Sequence, residues 1–149
     1  MAKIVFNKVN VAKYLGIKTG EIVTIVPDNS EIATVVLKDC FYKVTKQELK
    51  GLMINDRKQR IDQVEIHSFG KGEYIAHNKD KENSYIIRPK KDYVRCECED
   101  YHWLSVAFDT DKMACKHIYK YLNLLGVNNL LEYSQLFDQQ VENLEEIVA

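Results

Sequence analysis

The chain has no apolar run that approaches the length of a membrane span, and its opening residues, MAKIVFNKVNVAKY, hold no core of signal-peptide length. It is therefore expected to be cytoplasmic, with no membrane partner. No Ser-His-Asp grouping, phosphate loop or paired-carboxylate setting stands out, which argues against an enzyme. There is no internal repeat and no low-complexity segment. Cys-x-x-Cys is also missing, which disfavours a dithiol redox centre. Net charge is nearly absent, at −1 over 149 residues. What charge there is lies unevenly. Residues 1–60 carry eleven Lys and Arg against six acids, a balance of +5, whereas residues 127–149 carry five acids and no Lys or Arg. A basic front and an acidic tail leave room for nucleic-acid contact without requiring it, because the tail could fold back on the basic region.

The most informative stretch runs from 92 to 126, DYVRCECEDYHWLSVAFDTDKMACKHIYKYLNLLG. It holds two ligand pairs, Cys96-x-Cys98 and Cys115-x-His117, with sixteen residues between them. In a strand, residues i and i+2 point to the same face. Cys96 and Cys98 follow the strand-like run Tyr93-Val94-Arg95, so both sulfurs can emerge on one side. In a helix, i and i+2 diverge by about 200°. Cys115 and His117 converge only if Cys115 lies on the turn entering a helix and His117 in its first turn. Ile118, Tyr121, Leu122 and Leu125 then repeat at helical spacing, and Gly126 reads as a stop.

Three thiolates and an imidazole suit one tetrahedral zinc ion, and four protein ligands leave no open position for water, so the ion is expected to be structural. The filled site carries a charge of about −1; Arg95, Lys112 and Lys116 lie close in sequence and could offset it. Alternatives stay open: four ordinary core or surface residues, a strained Cys-x-Cys bridge, redox-active thiols, or His102 in place of His117.

The CxC…CxH pattern, with strands before it and a helix after it, resembles the SWIM zinc finger. EIHSFGKGEYIAH, SYIIRP and DYVRCEC look like the strands that precede the first Cys pair there, so the resemblance covers about residues 62–126. It departs in the inter-pair loop: DTDKMAC stands where that family often has proline and glycine. The resemblance implies Cys96, Cys98, Cys115 and His117 as the zinc ligands. It also implies a DNA-binding or protein-interaction role, as in transposases and recombination factors.

The expected fold class is α+β. Residues 1–61 form a basic, strand-rich N-terminal region, 62–126 the zinc module built on a small β-meander, and 127–149 an acidic amphipathic helix. In the first region, residues 3–6 read as a strand and Asn10 as the cap of a short helix ended by Gly16. A helix-turn-helix is disfavoured, because Gly20 and a β-branched run follow. Strands are expected over 21–26, 32–37 and 41–44, the first two joined by Pro27-Asp28-Asn29-Ser30. Cys40 reads as a small buried or half-buried residue. Thr45 and Glu48 form a capping box for a helix with Leu49, Leu52 and Met53 inward; Arg57, Lys58 and Arg60 complement its C-terminal dipole. The segment 99–114 reads as a loop whose aromatics, Trp103 among them, shield the metal or else form a stacking platform for bases. Asn129 and Glu132 start the last helix, whose stripe Leu130, Phe137, Val141, Leu144 and Val148 packs inward or forms a homodimer contact. Candidate nucleic-acid contacts near the finger are Lys79, Lys81, Arg88, Lys90, Lys91 and Lys116. The competing reading is a protein-interaction adaptor that uses the module and the terminal helix.

Overall fold

The computed structural model describes residues 5–136. The chain divides into two compact units, Met1–Asp56 and Arg57–Ala149.

In the first unit, helix α1 spans Lys8–Leu15. Its cap is Asn7, whose side chain accepts from the Asn10 N–H at 2.8 Å. The helix begins ahead of the expected Asn10 because Asn10 turns its own amide back to the Val5 carbonyl. Val5 and Phe6 are buried but do not form the expected strand. Gly16 closes α1 at φ 71°, a left-handed position where glycine has no steric penalty. Strands β1 (Ile22–Pro27), β2 (Ile32–Leu37) and β3 (Phe41–Thr45) form an antiparallel sheet in that order. The β1–β2 turn is held by Asn29, whose Oδ1 accepts from the Glu31 and Ile32 N–H groups. The register sets Ala33 opposite Val44 and Val35 opposite Ile25 and Tyr42. Ala33, Val35 and Val44 are fully buried and form the inner face. Thr45 then caps α2 (Lys46–Gln59), accepting from the Glu48 N–H at 3.1 Å. Leu49 and Met53, one turn apart, are buried. Cys40 is exposed rather than buried, because it sits between β2 and β3 where no inward strand position is available to it.

The second unit is a meander followed by helices. Strands β4 (Val64–Gly70), β5 (Glu73–Asn78), β6 (Asn83–Pro89) and β7 (Val94–Cys96) pair antiparallel in sequence order. The first turn is Gly70-Lys71-Gly72, with all three residues at positive φ. Successive side chains alternate between faces. The register therefore puts Val64, Ala76, Asn78, Tyr85, Ile87 and Cys96 on one face. Among these, Val64, Ala76 and Ile87 are fully buried, in a core shared with Leu104, Ile118 and Leu122.

The expected loop after Cys98 is largely a helix, α3 (Glu99–Phe108). Tyr101, Leu104 and Ala107, three apart, are its buried positions, and Glu99 and Asp100 suit its positive N-terminus. Helix α4 (Lys116–Leu124) buries His117, Ile118, Tyr119, Tyr121 and Leu122. It ends at Gly126, φ 79°, with Val127 N–H bonded back to Leu122 and Gly126 N–H to Asn123, a Schellman closure. Asn129 caps the next helical stretch, accepting from the Glu132 N–H at 2.9 Å, while the Glu132 carboxylate accepts from the Asn128 N–H at 2.7 Å. That stretch is described over 130–136; Phe137, Val141, Leu144 and Val148 of the expected stripe lie outside the described residues. No helix among the described residues is long and apolar enough to cross a membrane.

Candidate metal centre

Both ligand pairs sit where a strand or loop becomes a helix. Cys96 is the last residue of β7, and Cys98 is the N-cap of α3. Cys115 is the N-cap of α4, and His117 lies in that helix's first turn. The ligand atoms of Cys96, Cys98, Cys115 and His117 all lie within 4.8 Å of one another, and all four residues are buried. His117 Nδ1 is 3.8 Å from Cys96 Sγ and 3.6 Å from Cys115 Sγ. Such a group can hold a metal ion. His102, the rival histidine, is exposed on α3 and stands apart from the four. None of the four cysteines is in a disulfide.

The three sulfurs perturb one another's ionisation in opposite directions. Cys98 has its thiol pKa pulled far down by hydrogen bonds from Cys115 and Cys96. For Cys96, the bond with Cys115 favours the thiolate, but the bond to Cys98 and burial outweigh it, and its thiol is pushed up to about 12. Burial, then Cys96 and Cys98, push Cys115 well above the ordinary thiol range. Among the three thiols, Cys98 is therefore the one whose surroundings favour the thiolate, while those of Cys96 and Cys115 favour the thiol. A divalent cation supplies the charge that lets the other two ionise.

The backbone supplies part of the balance. The Cys98 sulfur accepts the Tyr101 N–H at 3.3 Å. The N-termini of α3 and α4 both begin at ligand cysteines, and helix N-termini favour negative charge. The basic side chains named for this role from sequence are engaged elsewhere or exposed. Lys112 pairs with Asp92, Lys116 donates to Gln63, and Arg95 is exposed.

The shell around the quartet has several fasteners. Arg57 grips Asp100 through two bonds, of 3.2 and 2.7 Å, holding the first turn of α3. Tyr101 donates its hydroxyl to the Asp111 carbonyl, tying α3 to the segment that returns to Cys115. Of the aromatics expected to shield the site, Tyr101 is buried, Trp103 half-buried and His102 exposed. The ring tilted against His117 instead comes from β6: Tyr85, with centroids 5.2 Å apart. The other His117 nitrogen, Nε2, lies 2.8 Å from Oδ1 of Asn78 at the end of β5. Asn78 was not singled out from sequence. Its only signal there is a polar residue at an inward position of an alternating strand.

The six candidate nucleic-acid contacts do not share one cleft. Lys81 and Lys116 line a cleft of about 200 Å³ that reaches Cys98 and His117, together with Arg57 and Arg60. Arg88 and Lys90 line another, of about 780 Å³, beside Cys96 and Cys98. Lys90 and Lys91 border a third, of about 680 Å³, next to Tyr121 and Tyr133. Lys79 is exposed on the β5–β6 turn. Arg88 is held by Glu97 and Glu73. The remaining histidines make ordinary contacts: His77 with Ser84, and His67 with Glu65.

No family model matches the chain, and neither a curated protein nor a solved structure does.

Proposed function

We propose that Cys96, Cys98, Cys115 and His117 bind one structural zinc ion in a SWIM-like module, and that the module serves nucleic-acid binding. The observation that carries the zinc reading is the buried convergence of the three sulfurs and His117 Nδ1. A tetrahedral zinc with ordinary Zn–S and Zn–N bonds sets sulfur and nitrogen ligands about 3.6 Å apart. The distances of 3.6 and 3.8 Å to Nδ1 fit that edge. Soft thiolates with an imidazole select zinc over magnesium or calcium, which prefer oxygen. The four residues fill a tetrahedral shell, so the ion's work in this reading is to pin the end of β7 and the start of α3 to the start of α4. The module then displays a surface and performs no chemistry.

Nucleic-acid binding is supported by Lys79 and Lys81 on the exposed β5–β6 turn and by the clustering of Lys81, Lys116, Arg57 and Arg60 in one cleft. Phosphate contacts make affinity fall steeply as salt rises. Zinc-loaded protein is expected to retard single- or double-stranded DNA at low salt, with Lys79→Glu/Lys81→Glu weakening retention and flattening its salt dependence. No retardation at low salt would exclude the nucleic-acid role and leave the zinc site standing.

The second reading is a protein-interaction adaptor. Its support is the division of the basic residues among separate clefts, together with the exposed Phe41 and Val26 on the outer face of the first sheet. Pull-down with a Phe41→Ser variant distinguishes it, since the adaptor reading expects a partner to be lost.

A further inference from the structure

Asn78 is one of two buried polar residues among the described ones, and the other is His117. Burying an amide is costly unless its donors and acceptor find partners. The Asn78 Oδ1 sits 2.8 Å from His117 Nε2, while its Nδ2 donates to Asn83 Oδ1. Asn83 in turn donates to the Tyr85 hydroxyl at 3.4 Å. Each bond fixes the direction of the next. Because Asn78 Nδ2 is spent on Asn83, the oxygen faces the imidazole. A carbonyl oxygen only accepts, so Nε2 must carry the proton and donate. In a neutral imidazole the other nitrogen is then an unprotonated acceptor. That nitrogen, Nδ1, is the one turned to Cys96 and Cys115.

We infer that Asn78 is a positioning residue for the metal centre: it holds His117 in the tautomer that presents Nδ1 to the ion, and Asn83 locks Asn78 in the required orientation. The β5–β6 hairpin thereby belongs to the site although it contributes no ligand. The hairpin is suited to this. Asn78 and Asn83 are paired across its two strands, and the turn between them is closed by Glu82 N–H donating to the Asn78 carbonyl. A second bond, from Lys79 N–H to the Gln63 carbonyl, anchors the turn at its base. Outer partners of metal-bound histidines typically fix ring and tautomer, and their loss weakens metal binding by about 10–100-fold.

The inference rests on the quartet being a metal site, and the test separates the two. In zinc-loaded protein with isotope-labelled histidine, long-range proton–nitrogen correlations are expected to show His117 protonated at Nε2 and ligating through Nδ1. Zinc affinity, measured by competition with a chromophoric chelator, is expected to fall about 10–100-fold in Asn78→Leu. Asn78→Asp keeps the accepting oxygen and should retain the Nδ1 pattern with a smaller loss. Asn83→Ala, milder because Asn83 is only half-buried, should give an intermediate loss. Ligation through Nε2 in the unsubstituted protein would overturn the inference while sparing the zinc site, and that measurement needs no variant to fold. Equal affinity in Asn78→Leu, or Asp no better than Leu, would also overturn it. Failure of the unsubstituted protein to bind zinc would overturn both.

Discussion

Cys98 does two jobs with one sulfur. It caps α3 through the Tyr101 N–H, and of the three thiols its pKa is the one that is lowered. The Cys96 and Cys115 thiols have pKa values raised by neighbouring sulfurs and by burial. The sign of the pH dependence follows. Under the proposed zinc binding, the ion must displace protons from thiols whose pKa values are raised, so affinity is expected to rise with pH and fall in acid. Titration calorimetry at neutral pH, in buffers of different ionisation enthalpy, should show net proton release on zinc binding. Release of none would contradict the charge assignment. The ligand spacing made these residues legible in the sequence, because period-two geometry applies to Cys96 and Cys98 and helix-entry geometry to Cys115 and His117. Asn78 was not legible, since its role depends on β5 lying beside α4, a contact between residues 39 apart.

At the scale of elements, the strands from β1 onward and the caps at Thr45, Gly16, Gly126 and Asn129 follow from local chemistry, and the structure matches them closely, whereas the expected opening strand does not form at Val5 and Phe6. Helix α3 departs from expectation too. A cysteine is an unusual N-cap, so Cys98 hid the start of the helix, and the two ligand pairs made the span between them look like a loop. Tyr101, Leu104 and Ala107 carry the helical period once the start is known. Leu104 is 1% exposed. Leu104→Ala should therefore destabilise the zinc-loaded protein by about 2–5 kcal/mol in denaturant unfolding, as a buried Leu truncation does. A change within about 0.5 kcal/mol, the range of surface substitutions, would mean that α3 does not pack as described. Thr45→Ala removes the cap of α2 and should cost about 0.5–2 kcal/mol.

For the whole molecule, the four ligands and their fasteners all lie in the second unit, residues 57–149, while the first unit has its own inner face of Ala33, Val35 and Val44. Chelation should therefore raise amide exchange in β7, α3 and α4 far more than in β1–β3. Equal loss of protection in both units would tie the first sheet to the ion, against this account. Zinc-edge X-ray absorption on the purified protein, with metal counted per chain, reads the bond set itself. One zinc surrounded by three sulfurs at about 2.3 Å and one nitrogen at about 2.0–2.1 Å is expected; a folded, metal-free chain, or zinc in a shell of oxygen and nitrogen alone, would rule the site out.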